Sequence, residues 1–432
     1  MTPVTIAETN RLIKAGKKTP TGLVEEAMSR ITALEPRLSA WVTVNEEGAR
    51  KAAARLTREA EDGRLRSPLH GVTVGVKDIF NTKGLRTTMG SPIFADNVPD
   101  SDAAVVARLR DLGAIILGKT HTTEFASHDP APTRNPWNTR HTPGGSSSGS
   151  AAATAAGMCH IALGSQTGGS VIRPASYCGV VGVKPTYDLL SREGVYPLSW
   201  TLDHVGLFAR SVGDAEVALS ALTGAEKHAA SRRAPRIGVP DRFFNEKADT
   251  DASEGFRAAV DRLAQRGAQI TPFLLPPSFD HAHAAHRVIM SSEAAAVHER
   301  LFAREMPRYR PYIRGQVASG LLIPAPTYLS ALRIRRIYRC EMARTLNLFD
   351  AVATPSTTTA APEGIAWTGD PAFNAPWSLS GSPTVTVPSG LSARGLPLGL
   401  QLAAPPGLDM RLLSVARWCE GALGFDKTPA IE

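Results

Sequence analysis

The chain has 432 residues, 43% hydrophobic and 20% charged, with 48 lysines and arginines against 40 acidic residues and a formal net charge of +8. That balance fits a globular chain with a sizeable core and excludes a disordered or low-complexity protein. No apolar run reaches the roughly 18 residues of a membrane helix, and the N-terminus lacks the basic-then-apolar pattern of a secretory signal.

The first legible helix opens at Thr19-Pro20, a cap followed by a first-turn proline, with Leu23, Val24, Ala27, Met28, Ile31 and Leu34 on one stripe. The run Val72-Thr73-Val74-Gly75-Val76 alternates as a strand and ends at Lys77. Val105, Val106, Leu109 and Leu112 predict a helix closed by Gly113, and Ala114-Ile115-Ile116-Leu117 a buried strand after it. Pro143-Gly144-Gly145 then opens into a stretch of serine and alanine suited to a helix packed deep in the molecule. Ile161-Ala162-Leu163 predicts a short strand before Thr167-Gly168-Gly169-Ser170. Strand, loop and helix alternate, which points to a layered α/β sheet.

From about residue 225 the character changes. Arg236-Ile237-Gly238-Val239-Pro240 reads as a strand and residues 252–266 as a surface helix, with Pro272, Pro276 and Pro277 marking a loop before further helices. Much of the basic excess falls between Arg300 and Arg344. There Leu329, Leu332, Ile334, Ile337 and Tyr338 recur at helical spacing, leaving the arginines on a solvated face. No zinc-finger spacing or aromatic ribonucleoprotein motif accompanies them, so no nucleic acid is expected. The end returns to strands at 351–355, 384–388 and 398–402. We read residues 1–432 as one domain, with a catalytic core at about 66–215 plus the C-terminal strands and an elaboration at about 225–345 covering the site.

Consecutive glycines in Thr167-Gly168-Gly169-Ser170 let successive N–H groups converge on one point, a site for negative charge beside a serine hydroxyl. In acyl transfer each such donor lowers the barrier by roughly 3 kcal/mol. The loop Gly144-Gly145-Ser146-Ser147-Ser148-Gly149-Ser150 lacks the Gly-Lys-Ser/Thr ending of a phosphate cradle. Lys77 reads two ways: an exposed lysine paired with Asp78, or a base whose pKa burial lowers by about 3 units. His281, His283 and His286 match no zinc spacing and read as exposed, and no metal is expected. Cys159, Cys178, Cys340 and Cys419 form no Cys-x-x-Cys pair and read as reduced thiols of a cytoplasmic protein, with Cys178 a packed small residue.

Taken together, several stretches resemble the amidase signature family of serine hydrolases. They are Gly71–Asp78, Gly113–Thr120, Asn135-Pro136-Trp137-Asn138, Pro143–Ser150, Gly164–Ser170, Leu202–Gly206 and Gly395–Leu402. The resemblance covers nearly the whole chain, least in the middle. It implies a three-layer α/β/α fold with a twisted mixed central sheet and a Ser–cis-Ser–Lys triad. By motif, Ser170 resembles the nucleophile, Ser146 the bridging serine after a cis peptide bond, and Lys77 the general base. Thr167, Gly168, Gly169 and Ser170 match the oxyanion hole, and no cofactor is implied.

The sequence departs from the commonest pattern at Ser148, Ser165 and Gln166, and by placing Arg173 three residues beyond Ser170 rather than two. The run Gln166-Thr167-Gly168-Gly169-Ser170-Val171-Ile172-Arg173-Pro174-Ala175 is similar to malonamidase-type members. It implies an amidase for a small-molecule amide bearing a carboxylate, such as malonamate, cleaved through an acyl-serine. Arg173 either holds that carboxylate or braces the loop. The intact set of Lys77, Ser146 and Ser170 argues against a catalytically dead binding protein, and two further alternatives stay open. One is an amidotransferase A-type subunit, supplying ammonia for charged transfer RNA with partner chains. The other is a broader amide, ester or carbamate hydrolase whose aryl pocket uses Trp200, Trp367 and Trp377. Homodimerisation is left open.

Overall fold

Alternate residues of the central strands enter different cores, and this sets the layers. Ile116, Ile161 and Leu163 join one buried apolar cluster, whereas Ile115, Leu117 and Ala162 join another. A strand's period of two sends neighbours to opposite faces, so both faces of the sheet are covered. The computed structural model describes residues 4–227 and 233–431. Residues 1–3, part of the N-terminal reading, and 228–232, near the start of the elaboration, lie outside the described residues.

Among the described residues eleven strands form one mixed sheet. They are β1 (Trp41–Val44), β2 (Thr73–Lys77), β3 (Ile115–Thr120), β4 (Ile161–Gln166), β5 (Val181–Lys184), β6 (His204–Ala209), β7 (Arg236–Pro240), β8 (Gln269–Phe273), β9 (Ala351–Pro355), β10 (Thr384–Leu391) and β11 (Pro397–Ala403). Their order is β1-β3-β2-β4-β6-β5-β10-β11-β9-β7-β8. Strand β2 runs parallel to both β3 and β4, and β7 runs parallel to β8 and β9. The pairs between β4 and β9 along that order are antiparallel. This is the α/β architecture that the motifs implied.

Most elements fall where the sequence places them. Thr19 caps the helix Pro20–Leu38 by accepting from the Gly22 N–H. The small-residue stretch forms the helix Ser148–Ala155, buried along almost its whole length. A helix at Ile6–Lys14 precedes the one read first. Strands β1, β5, β6 and β8 carry too little alternation to stand out.

The reading of the arginine-rich helix, Ala325–Leu346, needs correction. Leu329 and Ile337 are exposed, while Arg335 is buried and donates to the carbonyls of Leu379 and Thr201. Helical spacing alone cannot tell which stripe meets the core when long arginine stems can also be buried. No single described helix is long and apolar enough to cross a membrane.

Candidate active site

Strands β2 and β4 are parallel, with Val76 opposite Leu163. Their C-terminal ends therefore emerge side by side, the edge where open α/β sheets place their ligands. Lys77 is the last residue of β2 and is fully buried. Its Nζ lies 2.6 Å from Ser146 Oγ and 2.8 Å from Ser165 Oγ. Burial holds the Lys77 amine well below the ordinary lysine range, an effect that the Asp203 carboxylate opposes. The exposed pairing with Asp78 is not found. Asp78 is buried and faces Lys119 at 3.4 Å.

The Gly145–Ser146 peptide bond is cis. Beyond the end of β4, Thr167, Gly168, Gly169 and Ser170 line a cavity of about 620 Å³. Among the described residues, the N–H groups of Gly168, Gly169 and Ser170 have no partner within the chain. Gly169 is held to its size: a Cβ there would collide with the Asn374 side chain. The structure joins Lys77 to Ser146 directly. No hydrogen bond links Ser146 to Ser170 among the described residues, although Ser170 stands open to the cavity.

The departures from the common motif have local partners. Ser165 accepts from Lys77. Gln166 Oε1 accepts from the N–H groups of Val171 and Ile172, at 2.9 and 3.0 Å, and so fastens the turn that carries Ser170. Ser148 donates to the Gly144 carbonyl at 2.7 Å.

Arg173 is buried, and one Nη donates to the Gly145 carbonyl at 2.7 Å, bridging the two serine-bearing loops. Among the described residues its Nε and other Nη have no partner, although the residue lines the cavity. Burial lowers its pKa to about 10, opposed by Tyr177 and Asp370, so it stays charged at neutral pH.

Two supports escaped sequence reasoning. Asp203 accepts from Thr167 Oγ1 at 2.5 Å and from the N–H groups of Leu198 and Ser199. Burial raises its pKa to about 6, against those hydrogen bonds. It falls inside the Leu202–Gly206 motif, which gave its position but no role. His286 is buried rather than exposed, with Nε2 2.9 Å from the Thr167 carbonyl. Burial holds that ring near pKa 4, hence neutral. His283 likewise reaches the Ala372 carbonyl, and of the three histidines only His281 is exposed. The i, i+3 spacing of His283 and His286 was the available signal.

Trp367 lines the cavity, Trp200 lines a smaller neighbouring one of about 190 Å³, and Trp377 is wholly buried, so the three share no pocket. Burial drives the Cys178 thiol up, away from thiolate chemistry. Among the described residues no group of three or more metal-ligating side chains is suitably placed.

The Amidase family profile matches residues 22–413. This chain belongs to the amidase family. The amidase is 36% identical over 456 residues to a glutamyl-tRNA(Gln) amidotransferase subunit from Anaeromyxobacter sp. strain K, covering 93% of this chain and 92% of that one. It matches a solved amidase structure with a TM-score of 0.90 at 33% identity, covering 97% and 99% of the two chains. It also matches the native peptide amidase from Stenotrophomonas maltophilia with a TM-score of 0.84 at 29% identity, covering 99% of each. The amidase is a hydrolase acting on carbon–nitrogen bonds. None of these names carries the malonamidase specificity that Arg173 suggested.

Proposed function

We propose that this amidase cleaves a carboxamide whose acyl part carries an anionic group, through an ester on Ser170. Ser170 Oγ attacks the carbonyl carbon and its proton passes by way of Ser146 to the neutral Lys77 amine. The tetrahedral oxygen gains charge as the C=O π bond breaks, and the N–H groups of the 167–170 turn face it. The C–N bond then breaks, the relayed proton leaves with the amine, and water releases the acid in the second half.

The observation that carries the anionic substrate is Arg173, a cavity-lining residue with two buried nitrogens that have no partner among the described residues. A buried guanidinium left half-satisfied fits a carboxylate that completes its fork. A panel of short amides with and without a second carboxylate, followed by ammonia release, tests this. Covalent labelling by a serine-directed phosphonate tests Ser170. Equal turnover of acidic and neutral amides would remove the anionic preference.

A second reading is an amidotransferase A-type subunit, and the relatives' names favour it over a malonamate-specific enzyme. Glutamine also carries a carboxylate, so Arg173 suits both. Glutaminase activity that appears only with partner chains would select this reading, and ammonia release by the isolated chain would select the free amidase.

A further inference from the structure

The cavity is larger than its chemistry requires. At about 620 Å³ it lies in the range for drug-sized ligands, several times what an acid amide of about seven non-hydrogen atoms fills. Its wall also holds polar atoms in want of partners. Gln316 lines the cavity, and its Oε1 accepts from Ser127 Oγ at 2.7 Å. With the amide in this orientation Nε2, a donor, is the free end, and it is buried without a partner among the described residues.

His128, next in the chain to Ser127, stacks on Trp367 with ring centroids 6.2 Å apart and planes at 15°. Its Nδ1 is buried and unpartnered too. Burial and the nearby Arg173 charge keep this ring neutral, at about pKa 4, so it offers one donor and one acceptor. Buried polar atoms are usually satisfied, and both residues line the same cavity.

We propose that Gln316 and His128 form a specificity site for a carbonyl-bearing tail on the substrate, so that this amidase acts on elongated acid amides containing a second carbonyl group. The tail oxygen accepts from Gln316 Nε2. The proposal rests on the reading that Ser170 is acylated and extends it from the reacting carbonyl to the rest of the substrate. Nothing in the Gly144–Ser150 or Thr167–Ser170 loops dictates it.

The test uses two acid amides of equal length, one with a carbonyl in its tail and one with a methylene there, and compares their kcat/KM. The wild-type enzyme should prefer the carbonyl compound by about tenfold or more, the effect of about 1.4 kcal/mol for one buried hydrogen bond. In Gln316→Leu that ratio should collapse towards one. In Gln316→Glu, which keeps an acceptor for Ser127 and places a carboxylate oxygen against the tail, it should fall below one. A merely structural Gln316 would lower both substrates together and leave the ratio unchanged, and that result overturns the proposal. Absence of any preference in the wild type overturns it as well. Phosphonate labelling separates the two layers: labelled Ser170 without a tail preference sinks only this inference. Unlabelled Ser170 with no turnover of either compound sinks both.

Discussion

The floor of the cavity and the wall that carries Gln316 are placed by different means. On the floor, Lys77 and the Thr167–Ser170 turn leave two adjacent parallel strands, and the turn is fastened by Gln166 and Asp203. On the wall, Gln316 rides on the helix Pro311–Leu321, which reaches the core through contacts distant in sequence. Asp129 accepts from the N–H groups of Tyr312 and Ile313, 183 and 184 positions away, and Glu124 accepts from Arg310 N–H, 186 away. A floor whose reacting groups sit on glycine turns with close-packed neighbours tolerates little change. A wall held by packing and caps can be rebuilt while the chemistry stays, and the proposed tail site belongs there.

The sharpest way to break this contrast is to remove the floor's hydroxyl. Ser170→Ala should lower kcat by on the order of 10⁴-fold or more with the fold intact by circular dichroism. Residual turnover within tenfold of wild type would move the nucleophile elsewhere. Lys77→Met should cost on the order of 10³-fold and flatten the acid limb of the pH–rate profile. The sign follows from burial: the lowered Lys77 pKa keeps the amine neutral above that value, and the wild-type rate falls as pH drops through it. Between that value and about 10.5 the unfolded chain holds a proton that folded Lys77 lacks. Its contribution to stability therefore grows as pH rises, and denaturant titrations of Lys77→Met should show a shallower slope.

Arg173 sits on the seam between floor and wall, so its replacement should split by substrate. Losing the bridge to the Gly145 carbonyl slows all amides, by about tenfold for one buried hydrogen bond. Acidic amides also lose the ion pair, for a total on the order of 10³-fold. Parallel substrate series on Arg173→Leu would measure the difference. Equal losses would assign the arginine to bracing alone.

The same contrast explains how far the sequence could be read. The Gly144–Ser150 and Thr167–Ser170 loops announce themselves because close backbone approach admits few side chains, as Asn374 against Gly169 makes plain. Strands β2, β3, β4, β9, β10 and β11 were visible as apolar runs. Asp203 and His286 were visible as residues but not as supports, because their partner Thr167 lies 36 and 119 positions away. Ala325–Leu346 shows the limit from the other side. Its apolar stripe predicted an inward Leu329 and Ile337, but the packing chose Arg335, whose head finds two carbonyls.

The mildest prediction concerns the wall alone. Asp129 acts as a side-chain cap supplied from another segment, meeting two of the N–H groups that every helix start leaves unpaired. Asp129→Ala should cost about 1–2 kcal/mol of stability, read from denaturant midpoints. It should also let the helix Pro311–Leu321 shift against the cavity. Because that helix carries Gln316 and none of the residues proposed for proton transfer, KM should rise severalfold while the rate of phosphonate labelling at Ser170 stays near wild type. Were labelling to fall as far as affinity, the wall would be helping to shape the floor, and the division of labour drawn between them would fail.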